Sequence, residues 1–252
     1  MEVRGAALME ERTPAIEVRS LRKRFRLQNA AIGSLKTALL WWRKRSVTEF
    51  EALKSVSFDA YPGECLAVVG RNGAGKSTLL GLLAKVYKPS EGSFRVRGRL
   101  APLLELGAGF HPDLTGIENI YFNAVVLGLT RKQVRERIDE IIAFSELGDA
   151  IHAPVRTYSS GMTARLGFAI AVHVDADVLL VDEVLSVGDF DFEQKCLRRV
   201  SDFRAAGGCI LLVSHHLDTV RQFADRCLWL KKGEIVAEGT PSEILPQYLA
   251  SS

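Results

Sequence analysis

Hydrophobic and polar positions alternate over three stretches of the chain: IEVRSL at 16–21, LKSVSFDA at 53–60 and SFRVRGR at 93–99. A period of two puts one row of side chains on each face of a strand, so each stretch reads as a half-buried β-strand. The last is expected at a sheet edge. Three other stretches are apolar throughout: CLAVV at 65–69, VLLV at 178–181 and ILLV at 210–213. Runs of that length suit parallel strands covered on both faces. A third pattern has the helical period. Leu35, Ala38, Leu39 and Trp42 fall at i, i+3, i+4 and i+7, behind Ser34 as an N-cap. Helices are also expected over 77–85, over 117–127 behind Thr115, over 131–144 and from 163 to 172. In the 131–144 segment Val134, Ile138, Ile141 and Ile142 share one face. The interleaving predicts an α/β fold: a mixed parallel core sheet, antiparallel strands within 52–100, and a helical subdomain inserted over 113–172.

Composition keeps the chain in the ordinary soluble class. It has 252 residues, 47% hydrophobic and 25% charged, and a net charge of +3. That charge is too small to imply nucleic acid by itself. Cys65, Cys196, Cys209 and Cys227 form no CxxC pair, which argues against a disulfide framework or a zinc site. No apolar run approaches the roughly 18 to 20 residues of a membrane span. Residues 1–14 read as a flexible leader without the apolar core of a signal peptide. The helix near residue 40 changes the picture. It carries Trp41 and Trp42 together, with Lys36, Arg43, Lys44 and Arg45 around an apolar face. Such a helix suits a membrane–water interface or a groove on a membrane subunit; the alternative is packing on its own domain.

The chemistry begins at GRNGAGKST, residues 70–78. Gly70, Arg71, Asn72, Gly73, Ala74, Gly75, Lys76, Ser77 and Thr78 fit the phosphate-binding loop, in its required place between a buried strand and a helix. Backbone N–H groups and the helix N-terminus would face the phosphates. Lys76 would reach the terminal phosphates, and Ser77 would help hold Mg²⁺. The apolar run at 178–181 ends in Asp182 and Glu183. At the C-terminal end of a buried parallel strand, Asp182 suits Mg²⁺ and Glu183 suits a base that polarises water. The run at 210–213 ends in Ser214 and His215, where the histidine is either structural or a γ-phosphate contact. Ser159, Ser160 and Gly161 precede a helix and form either a plain cap or a second anion site. Phe25 ends the first strand beside the basic run 22–26. It either stacks on an adenine ring or packs as an ordinary phenylalanine, and Phe50 is the other aromatic in reach of that role.

Phosphate loop, YSSGM at 158–162, strand-Asp-Glu and strand-His, in that order, resemble the ATP-binding cassette (ABC) family over nearly the whole chain. The resemblance implies one P-loop nucleotide-binding domain over 15–252. It implies ATP and Mg²⁺ as ligands, and a head-to-tail homodimer in which the 158–162 signature of one copy closes over ATP on the other. Residues 185–189 would be the loop where two cassettes meet. Two departures stand out. Ser160 and Met162 replace a glycine and a glutamine of the usual signature. The loop 103–119, LLELGAGFHPDLTGIEN, lacks the family's Gln, with Glu105 as nearest substitute. These stretches, with DEVLSVGD and the insertion at about 28–49, resemble the ATPase subunits of bacterial polysaccharide exporters.

That resemblance implies export of a lipid-linked polysaccharide, O-antigen first, capsule or teichoic acid otherwise. It implies two separate multi-span permease subunits, a place on the cytoplasmic face of the inner membrane, and no nucleic-acid partner. Leu35, Leu39, Trp41 and Trp42 would make the membrane-side contact. No C-terminal carbohydrate-binding domain is expected before Ser252. In this scheme Glu183 activates water, while Lys76 and His215 stabilise phosphoryl charge. The alternatives are an ABC ATPase of another exporter and a soluble ABC ATPase acting on nucleic acid.

Overall fold

The computed structural model describes residues 13–28, 47–103, 106–107, 109–182, 189–214 and 216–251. The Trp41–Trp42 helix, Glu105, Glu183, the 185–188 stretch and His215 lie outside them.

The three fully apolar runs become neighbouring parallel strands. They are β3 (Cys65–Val69), β6 (Val178–Asp182) and β7 (Cys209–Val213). With β5 (Leu100–Leu103), β8 (Arg226–Lys231) and β9 (Glu234–Gly239) they form a six-stranded sheet. Its order is β5-β6-β7-β3-β8-β9, parallel except for the last pair. Alternate residues of these strands enter different cores, which is why no polar position interrupts them. Leu66, Val68, Leu180, Leu211 and Val213 point into one core with α1 (Lys76–Leu83). Cys65, Leu179, Val181, Ile210 and Leu212 point into the opposite core. There they meet α4 (Ser160–Val172) and α5 (Phe190–Ala205). All four cysteines are buried, and burial pushes each thiol up to about 12, so none is a thiolate at neutral pH.

The alternating stretches build a separate three-stranded antiparallel sheet, ordered β2-β1-β4. It consists of β1 (Ile16–Gln28), β2 (Val47–Ala60) and β4 (Glu91–Val96). The edge position expected for the third stretch is the one β4 takes. Strands β1 and β2 run well past the expected 16–21 and 53–60, pairing as far as Gln28 opposite Val47. Alternation fails beyond Leu21 because the basic run is held by acids on adjacent strands rather than by a core. Arg26 lies 3.0 Å from Glu49, Arg24 3.6 Å from Glu51, and Arg22 3.5 Å from Glu91.

Residues 113–172 fold largely as helices. Helix α2 (Gly116–Val126) starts at Thr115 and α3 (Arg131–Ser145) at Thr130, each through a reciprocal capping box. Val134 and Ile141 are fully buried; Ile138 and Ile142 flank them in the same cluster. Two short helices, α6 (Leu217–Phe223) and α7 (Pro241–Ala250), cover β3 and β8 through Val220, Ile244 and Leu245. Among the described residues no helix is long and apolar enough to cross a membrane.

Candidate functional site

The register of the central strands assembles the site. Val68 of β3 pairs with Val213 of β7, and Val213 pairs in turn with Asp182 of β6. The C-terminal ends of these strands therefore lie in one row, where ligands of open α/β sheets bind. The glycine loop leaves β3 at that row and enters α1. A side chain on Gly70 would run into the Leu230 carbonyl, so glycine is required there. Gly75 caps α1 at φ +112°, and its Cβ would fall 2.6 Å from the Ala52 carbonyl oxygen. The loop is braced from behind by the turn after β8: Gly233 N–H donates to Ala74 O at 2.9 Å.

Lys76 opens α1 and is 6% exposed. Its ammonium curls over the loop, donating to Gly70 O at 2.7 Å and Arg71 O at 3.2 Å. Burial pulls its pKa below the ordinary lysine range, and the Asp182 charge pushes back. Asp182 shows the reciprocal effect. Burial raises its pKa, and Lys76 opposes the rise. The two charges are thus electrostatic neighbours at one sheet edge. Ser77 and Asp182 line one cavity of about 440 Å³ between α1, β5 and the helical subdomain. Among the described residues no cluster of three His, Cys, Asp or Glu side chains could hold a metal alone. One hydroxyl and one carboxylate instead fit a hard cation that takes its remaining oxygens from phosphates and water.

Ser159 is the N-cap of α4: its Oγ accepts the Met162 N–H at 3.2 Å. Ser159 and Ser160 are exposed, and neither they nor Gly161 line the cavity that holds Ser77 and Asp182. The 159–161 turn therefore stands apart from that cavity. Phe25 is half-buried on β1, edge-on to Tyr87 with centroids 5.4 Å apart, and Lys23 Nζ sits 4.8 Å over its ring. Phe50 is its cross-strand partner and is 51% exposed. Tyr87 was not legible as a site residue. It lines the Ser77–Asp182 cavity, and its one signal was an apolar Val-Tyr pair ahead of a polar turn. Asn119 is a second unmarked residue. It is fully buried, accepts the His111 N–H at 2.8 Å, and donates to the carbonyls of His111, Leu114 and Thr115 at 3.0 to 3.1 Å. It thereby shapes the loop ahead of α2.

Comparison with known proteins points the same way. The family described as ABC transporter matches residues 53–186. The O-antigen export system ATP-binding protein RfbB of Klebsiella pneumoniae is 45% identical over 240 residues, 93% of this chain and 97% of that one. The protein of the same name from Myxococcus xanthus is 44% identical over 95% of this chain, which spans 56% of that longer relative. Among solved structures, an ATP-binding cassette in a dimeric post-hydrolysis state bound to ADP and Pi superposes with a TM-score of 0.72. It is 19% identical and covers 90% of this chain and 98% of its own, a likeness of fold.

Proposed function

The chain belongs to the ABC transporter family, and from that premise we propose that it is the ATP-hydrolysing subunit of a bacterial polysaccharide exporter. The observation that carries the ATPase reading is the single row formed by the ends of β3, β7 and β6. It puts the phosphate loop, the lysine and the acidic strand end on one edge. The substrate class rests on the relatives named for O-antigen export.

In this reading the loop N–H groups from Gly70 to Thr78 and the α1 N-terminus cradle the ATP phosphates. Lys76 neutralises charge developing on the transferred phosphoryl group. Ser77 and Asp182 would hold Mg²⁺, which would supply positive charge against the phosphates there. Glu183 polarises the attacking water, and His215 contacts the γ-phosphate. Ser159, Ser160 and Gly161 stand apart from the cavity; in this reading, as the family resemblance implies, they act on the nucleotide of a second copy, and the working unit is a homodimer. Permease subunits with membrane spans complete the transporter. The chain sits peripherally on the inner cytoplasmic face, with Leu35, Leu39, Trp41 and Trp42 toward membrane or permease.

The test is Glu183→Gln in the purified protein. Hydrolysis should fall by about a hundredfold or more, the scale of losing a positioned base. ATP should still bind, and the variant should accumulate as an ATP-bound dimer in light scattering. Undiminished turnover in this variant would remove Glu183 from its role.

A further inference from the structure

Helices α3, α4 and α5 converge on one charged side chain. Arg165 lies in the second turn of α4, with its side chain 19% exposed. Its Nη2 donates to Asp189 Oδ2 at 2.7 Å, and its Nη1 donates to Glu146 Oε2 at 3.4 Å. The guanidinium also stacks over Phe192, 4.8 Å from the ring centroid. Both acids end helices. Glu146 is the C-cap of α3, in the left-handed region at φ 56°. Asp189 is the N-cap of α5, and its other oxygen accepts the Phe192 N–H at 3.0 Å. Lys195 closes the ring from α5, donating to Glu146 Oε1 at 2.7 Å and to the Phe144 carbonyl at 3.0 Å. Phe144, Phe168 and Phe192 pack beneath, with centroids 5.8 to 6.4 Å apart.

The joined ends carry chemistry on both sides. The start of α4 presents Ser159, Ser160 and Gly161. At the other end, Asp189 closes the 185–189 loop expected to meet a second copy. An exposed ion pair contributes little to stability. Glu146 and Asp189 are 45% and 65% exposed, so these pairs add little stability; the guanidinium, 19% exposed and shared between two carboxylates and a ring face, instead specifies geometry, which a lysine's point charge does not reproduce.

We propose that Arg165 is a positioning residue that, from the second turn of α4, locks the start of that helix to the N-cap of α5. Ser159–Gly161 and Asp189 thereby keep one fixed relation during turnover. The inference rests on the ATPase reading above.

Arg165→Ala, Arg165→Lys, Asp189→Ser and the Ala/Ser double variant test it in the full chain. Serine at 189 keeps an oxygen for the Phe192 N–H but removes the carboxylate that Arg165 reads. Both Arg165→Ala and Asp189→Ser should lose about tenfold in kcat, while the Kd for a fluorescent ATP analogue moves by less than about twofold. The double variant should lose no more than either single, because one contact is being removed twice. Arg165→Lys should recover less than half of the loss. Wild-type kcat in Arg165→Ala overturns the proposal. So do losses that multiply in the double variant, full recovery by lysine, or a kcat drop matched by the loss of folded protein. If the wild-type chain hydrolyses no ATP, the ATPase reading falls and this inference falls with it. Wild-type hydrolysis that Arg165→Ala leaves untouched removes the inference alone.

Discussion

Lys76 and Asp182 are each half of an electrostatic pair that burial makes sensitive. Lys76 spends two of its donors on the carbonyls of its own loop and keeps a third for a ligand. Lys76→Ala removes charge from both the bound state and the transition state. ATP affinity and kcat should therefore fall together, by about tenfold or more each, measured by nucleotide titration and phosphate release. Asp182 sets a pH dependence. Burial raises its pKa above the ordinary 3.8, and only the ionised form holds a cation. Mg²⁺-dependent nucleotide binding should be complete above the raised pKa. It should be lost as pH falls through that value, at milder acidity than an ordinary aspartate would require. Asp182→Asn should abolish this Mg²⁺-linked step. A midpoint at or below 3.8 for the Asp182 carboxyl of the metal-free chain, read by NMR titration, would contradict the burial argument.

At the scale of elements, α2 depends on a residue that does not look structural. Asn119, itself fully buried, accepts one N–H and shares its two amide hydrogens among three carbonyls of the 111–115 turn. Asn119→Ala takes the acceptor from the His111 N–H, while the carbonyls of His111, Leu114 and Thr115 keep the N–H groups of Leu114, Val155 and Asn119. Urea denaturation should show a loss of about 1–2 kcal/mol, the scale of one hydrogen-bonding group left without its partner. Hydrogen exchange should speed up first around 109–119. A loss under about 0.5 kcal/mol would mean that water replaces the side chain without penalty. The strand pair β1–β2 makes the opposite point. Its outer half is held by Arg–Glu pairs across strands, so its length is set by pairing partners that no local window contains.

On the proposed reading, the whole molecule combines a nucleotide site, a signature that serves a second copy, and a membrane-side segment at about 28–49. The paired tryptophans belong to this scale because their expected effect is on coupling rather than on chemistry. Trp41→Ala combined with Trp42→Ala should cut polysaccharide export in cells several-fold, while ATP hydrolysis by the purified chain stays within about twofold of wild type. Joint loss of ATPase activity and folded protein would place both rings in the protein's own core.

Much was legible before any coordinate. Local rules suffice where a function needs a fixed spacing along one element. The glycine loop of 70–78, the strand ending in Asp182, the cap at Ser159 and the helix behind Thr115 are of that kind, because hydrogen bonding and side-chain period act over a few residues. Tertiary structure alone decided what depends on residues distant in sequence. It brought Lys76 beside Asp182 through the β3-β7-β6 order, put Tyr87 in the cavity with Ser77, and carried Arg165 to Glu146 and Asp189. Strand order and helix packing are set by the burial of many apolar side chains at once, and no short window of sequence records that sum.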